Sequence, residues 1–119
     1  MDRYEVVIVD DDDQALGVLQ RILTLWGYNV FPFRAFEGAR DFVSAHPPDA
    51  LVVDVRLGSY NGLQLVHLAK HLAPQMAVIV VSGFDDAVLR AEAERAGATF
   101  LAKPIDSEEL RELLPRAVN

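Results

Sequence analysis

The chain has 119 residues, 51% of them hydrophobic, and its 18 acidic against 11 basic side chains leave a formal charge of −7. That supports one compact domain over residues 1–119, and the acidic balance excludes sequence-independent nucleic-acid binding, which needs clustered cations to release counterions from phosphates. The absence of cysteine excludes disulfides, thiolate catalysis and cysteine-bound metals, and no apolar run is long enough to cross a bilayer, so a cytoplasmic protein without membrane contact is expected.

Short apolar runs alternate with amphipathic stretches from end to end, which predicts an α/β fold with helices on both faces of a parallel sheet and fully buried strands. Residues 6–9 form the first predicted strand. The acidic residues 10–13 then cap a helix with Ala15, Leu19, Ile22 and Trp26 on its apolar face and Gly27 as its stop. Residues 28–31 read as a short second strand. A second helix carries Phe36, Ala39, Phe42 and Val43 and ends before His46-Pro47-Pro48, where proline forbids continuation. Residues 51–53 are the third strand, and residues 55–61 read as a loop with the turn dipeptides Gly58-Ser59 and Asn61-Gly62. Leu63, Val66, Ala69 and Leu72 mark a third helix closed by Pro74. Residues 77–81 are the most hydrophobic strand, followed by Gly83-Phe84-Asp85-Asp86 and a fourth helix with a thin apolar face that stops at Gly97. Thr99 to Ala102 form the fifth strand. Asp106, with Glu109 three residues later, resembles a capping box for a final helix through Leu110, Leu113 and Leu114.

The predicted strands end in reactive residues. The first stops at Asp10-Asp11, the third at Asp54, the fourth at Ser82 and the fifth at Lys103. In a parallel sheet these ends share one edge, where open α/β sheets bind their ligands. If the first and third strands are neighbours, Asp10, Asp11 and Asp54 repel one another unless a cation holds them together. A purely oxygen donor set favours Mg²⁺, which keeps positions free for water and phosphate oxygens. Asp54 would then attack phosphorus to give an aspartyl-phosphate, with Lys103 and Ser82 supplying charge and a hydrogen bond to the phosphoryl oxygens.

These residues, in this order, make the chain resemble the receiver domain of two-component response regulators over essentially its whole length. The family's acidic pair is matched by Asp10-Asp11 in VIVDDDD, its phospho-acceptor by Asp54 in LVVDVRL, its Ser/Thr by Ser82 in VIVVSG and its Lys-Pro pair by Lys103-Pro104 in FLAKP. The resemblance implies a flavodoxin-like, doubly wound sheet of five parallel strands in the order 2-1-3-4-5 with five helices. It implies that Asp11 and Asp54 bind Mg²⁺ directly, Asp10 through water, and that the backbone carbonyl of Arg56 completes the protein ligands. It also implies a cis Lys103-Pro104 peptide and a switch in which Ser82 moves inward and the ring of Phe100 follows. That would remodel the face made by the fourth helix, fifth strand and fifth helix. The expected partners are a histidine kinase or phosphotransfer protein as donor, a downstream output domain or protein, and a second copy paired through that same face. Because nothing follows the last helix, output is expected by interaction, from a stand-alone receiver or one domain of a longer protein.

The chain departs from the family pattern in the segment after Asp54, which lacks the usual Met-Pro pair, and in the bulky Arg56 and Phe84, which are expected to alter autodephosphorylation. Asp12 and Asp13 read as helix-cap residues only, and His67 and His71, four apart without a third ligand, as ordinary residues of the third helix. Two rivals stand beside the receiver reading. One is a Mg²⁺-dependent phosphohydrolase of the haloacid dehalogenase type, for which Asp10 and Asp12 supply an alternate-aspartate pair but the late acidic motif and cap insertion are missing. The other is a degenerate receiver that acts only as an interaction module.

Overall fold

In the computed structural model the description covers residues 3–57, 60–83 and 87–116, with the side chains at 56, 57, 60 and 61 left out. The β-branched run Val6-Val7-Ile8-Val9 is at most 2% exposed, because it forms a central strand covered on both faces. This strand, β1 (Glu5–Val9), lies between β2 (Asn29–Phe33) and β3 (Ala50–Asp54), and β4 (Ala77–Ser82) and β5 (Thr99–Ala102) continue the sheet beyond β3. All pairings are parallel and the strand order is 2-1-3-4-5. The winding reverses at β1, whose two neighbours are β2 and β3. The crevice at their carboxyl ends is the topological switch point where such sheets bind ligands.

Five helices cover the sheet: α1 (Asp13–Leu25), α2 (Phe36–Ala45), α3 (Gly62–Leu72), α4 (Ala87–Arg95) and α5 (Ser107–Leu113). Side-chain alternation divides the core in two. Val7, Val9, Leu51, Val53, Val80 and Phe100 pack on the side of α2, α3 and α4, whereas Val6, Ile8, Val52, Ile79, Val81 and Leu101 pack on the side of α1 and α5. The predicted stops hold, since Gly27 and Gly97 have φ of 98° and 87°, a conformation that favours glycine. Asp12 caps α1 by accepting from the Gln14 and Ala15 N–H groups, and Asp106 caps α5 by accepting from Glu108 and Glu109.

Four local details differ from the sequence reading. The second strand runs to Phe33 and includes Pro32, which is tolerated because β2 is an edge strand and for the same reason is only partly buried. The face of α1 centres on buried Leu16 and Leu23, while Ala15, Leu19, Ile22 and Trp26 flank it. Leu72, placed on the inner face of α3 by its spacing, is 41% exposed, and Leu65 is buried instead. Within the predicted loop, Arg56–Leu57 pairs antiparallel with Tyr60–Asn61. Among the described residues no helix is long and apolar enough to cross a membrane.

Candidate acidic phosphoryl-transfer site

Asp10 directly follows β1. Its N–H donates to the Phe33 carbonyl at 3.1 Å, which carries the β1–β2 ladder one step past the strand and holds the residue at the sheet edge. By alternation its side chain falls on the α1/α5 side of the sheet, where it is 7% exposed. One carboxylate oxygen accepts from the Asp12 N–H at 2.9 Å and the other from the Lys103 ammonium at 2.9 Å. Asp54 ends β3 on the same side, and its carboxylate accepts from Lys103 at 3.1 Å. Lys103 follows β5, with its N–H donating to the Ser82 carbonyl at 2.7 Å and its peptide to Pro104 in the cis form. A cavity of about 40 Å³ between Asp10, Asp54 and Lys103 is walled by Val52, Val81 and Leu19.

A single ammonium therefore ties the first acidic residue to the third-strand aspartate. Burial opposes its charge and would lower its pKa, but the hydrogen bonds it donates to Asp10 and Asp54, with their negative charges, outweigh this and leave it raised. Exposed Asp11 completes the cluster, since Asp10, Asp11 and Asp54 each offer an oxygen within 4.8 Å of the others. Three carboxylates against one ammonium leave a local excess of two negative charges. An all-oxygen set with that excess fits a hard divalent cation, and among the described residues no other group of His, Cys, Asp and Glu makes such a cluster.

Ser82 and Phe100 lie on the other side of the sheet by strand alternation. Ser82 ends β4, is 1% exposed, and follows the alternation of Val80 toward the α2/α3/α4 side. Phe100, 4% exposed and paired with Val80, lies on that side too. Acceptor and switch residues thus occupy opposite faces of one sheet edge, joined through the Lys103–Ser82 backbone bond. The Arg56 backbone enters its short antiparallel pairing two residues after Asp54, whereas Phe84 lies outside the described residues. Asp13 forms an exposed ion pair with Arg34, and His67 and His71 are exposed on α3, in keeping with their ordinary reading.

Sequence reasoning missed Gly62. It read Asn61-Gly62 as a turn, yet Gly62 opens α3 against the backbone of the acceptor. A Cβ there would lie 2.6 Å from the Asp54 carbonyl oxygen and 2.8 Å from the Val55 Cα. Its N–H donates to the Val55 carbonyl at 2.8 Å, so the start of α3 is fastened directly behind Asp54. The direct pairing of Lys103 with Asp10 and Asp54 was also not foreseen, because the sequence assigned that ammonium to a phosphoryl oxygen.

The family and fold are shared with known proteins. The family model described as "Response regulator receiver domain" matches residues 6–115. The DNA-binding transcriptional regulator NtrC of Proteus hauseri is 34% identical over 122 residues, covering 99% of this chain and 25% of that protein. The chain thus spans about a quarter of the length of the curated relatives it matches. Among solved structures, a response regulator from Burkholderia pseudomallei with a phosphorylated aspartic acid, calcium ion and citrate superposes with a TM-score of 0.87. It is 27% identical, covering 94% of this chain and 66% of that one. The beryllofluoride-activated NtrC4 receiver domain dimer gives a TM-score of 0.83 at 26% identity, covering 92% of each chain.

Proposed function

This chain belongs to the response regulator receiver domain family, and on that premise we propose that it takes a phosphoryl group onto Asp54 from a histidine kinase or phosphotransfer protein. The observation that carries the assignment is the Lys103 ammonium bonded at once to Asp10 and Asp54, the arrangement that positions one carboxylate among charged partners at the switch point. Asp10, Asp11 and Asp54, with the Arg56 carbonyl, would hold Mg²⁺, and the family relative with a phosphorylated aspartic acid and a calcium ion supports a divalent ion at this pocket. When bound, the ion supplies positive charge that offsets both the acidic cluster and the phosphoryl oxygens.

The chemistry of the protein's own groups follows. Asp54 needs no general base because it attacks as a carboxylate. An oxygen–phosphorus bond forms on Asp54 as the donor's phosphorus–nitrogen bond breaks, and the imidazole leaves with that electron pair. Lys103, already beside Asp54, passes from the carboxylate to a phosphoryl oxygen without a long movement. Ser82 donates its hydroxyl to a second oxygen, and its inward motion opens space that Phe100 fills, remodelling the α4–β5–α5 face. NtrC, a DNA-binding transcriptional regulator, supports an output through a linked or separate effector, and the NtrC4 receiver dimer supports pairing of two receivers, for which the α4–β5–α5 face is our assignment. A cytoplasmic location fits this chemistry. The phosphohydrolase alternative is not favoured, since the match over residues 6–115 is to receivers.

Intact mass after incubation with acetyl phosphate and Mg²⁺ tests the assignment. The wild type is expected to gain one adduct of about 80 Da, absent with EDTA and absent in Asp54→Ala. An adduct that persists in Asp54→Ala would move the acceptor elsewhere. If neither an adduct nor a beryllofluoride complex forms, the chain acts as an interaction module.

A further inference from the structure

The ring of Phe100 is buried on the α4 side of the sheet, but apolar side chains do not cover it alone. The guanidinium carbon of Arg90 lies 4.6 Å from the ring centroid. Arg90 belongs to α4, which is weakly seated: among its described residues Ala93 alone is fully buried, Leu89 is partly buried against the same core, and Val88 is 66% exposed. A half-buried planar guanidinium over an aromatic face is attracted by the ring quadrupole, more strongly than in open water, and a compact ammonium does not reproduce the stack. This stack therefore adds to the limited apolar burial of Leu89 and Ala93 in linking α4 to β5.

We propose that Arg90 is the positioning residue for the switch ring, clamping Phe100 beneath α4 so that movement of either is transmitted to the other. The inference rests on the reading of Ser82 and Phe100 as the switch. Phenylalanine has no hydroxyl through which the ring tip can be tethered, and the guanidinium attaches the ring by its face instead. On this proposal the buried ring position that Arg90 covers is the one the phosphorylated state uses, so the stack favours that state. Removing it lowers the fraction of molecules ready to accept a phosphoryl mimic, and apparent affinity falls with that fraction.

The test uses the chain with Mg²⁺ and beryllofluoride, followed by amide NMR shifts of β4 and α4. Arg90→Met, which keeps the apolar stem, is expected to weaken beryllofluoride binding about fivefold. Arg90→Lys is expected to recover only part of that loss. In a Phe100→Leu background the same Arg90→Met change should have an effect of less than about twofold, because the ring it acts through is gone. In the ligand-free wild type, the Arg90 Nε–H resonance should carry a ring-current shift that Phe100→Leu abolishes. Absence of that shift, equal affinities for wild type and Arg90→Met, or an equal loss in both backgrounds would overturn the role of Arg90. Failure of the wild type itself to bind beryllofluoride would instead remove the switch reading, and the proposal with it.

Discussion

Gly62→Ala adds one methyl group behind the acceptor aspartate. Its Cβ would stand 2.6 Å from the Asp54 carbonyl oxygen, 2.8 Å from the Val55 Cα and 3.1 Å from Val53 Cγ2. Real Cβ atoms do not approach inside 3.0 Å, so the first contact must open by at least 0.4 Å, and the two tightest neighbours are backbone atoms that cannot rotate away. Overpacking of this kind costs about 1–3 kcal/mol. Against it, Gly62 is not a positive-φ glycine and it opens a helix, so alanine recovers up to about 1 kcal/mol of helix propensity. The expected net loss is about 1–2 kcal/mol, read as a lower urea midpoint at unchanged slope. A shift of this size in the Asp54 backbone approaches the tolerance of a reacting group, so the rate of adduct formation from acetyl phosphate should fall about tenfold. A variant as stable as wild type and equally fast would refute the reasoning, showing that the segment preceding α3 moves without resistance and that Asp54 is positioned by β3 alone.

Two further outcomes are expected. Divalent metal at about a hundredfold excess over its Kd should stabilise the fold by about 2.7 kcal/mol, or about 10 °C in Tm, and Asp11→Asn should shrink that increment while raising metal-free stability, because it relieves the repulsion among the three carboxylates. An equal increment in wild type and Asp11→Asn, by thermal unfolding with and without EDTA, would place the ion elsewhere. The second concerns pH in EDTA. The Lys103 pKa is raised in the folded state, so its stabilising contribution is complete below the unfolded value of about 10.4 and is lost as pH rises through the higher folded value. The urea-midpoint gap between wild type and Lys103→Met should be constant from about pH 7 to about pH 9 and close above about pH 10.4; a gap that closes below about pH 9 would contradict the raised pKa.

Much of this protein is written in short-range signals. The β-branched run of residues 6–9 and the apolar run of residues 77–81 specify buried strands, Asp12 and Asp106 specify helix starts, and Gly27 and Gly97 specify stops. Each acts within a few residues through backbone sterics, capping or periodicity, so each is readable without a partner. The reactive residues were legible for the same reason, as Asp10, Asp54, Ser82 and Lys103 each directly follow or end an apolar run, with Asp11 next to Asp10. What they touch was not. That Asp10 and Asp54 share Lys103 depends on β1 lying between β2 and β3, a choice among strand orders decided by long-range packing. Pro32 could enter a strand only because β2 is at the edge, and the turn signal of Asn61-Gly62 concealed that Gly62 abuts the Asp54 backbone. The placement of the acidic cluster and Lys103 on one sheet face, with Ser82, Phe100 and Arg90 on the other, likewise needed the assembled sheet. Local preference sets which residues stand at strand ends, whereas their neighbours follow from the assembled fold, because contacts between distant segments depend on how whole elements pack.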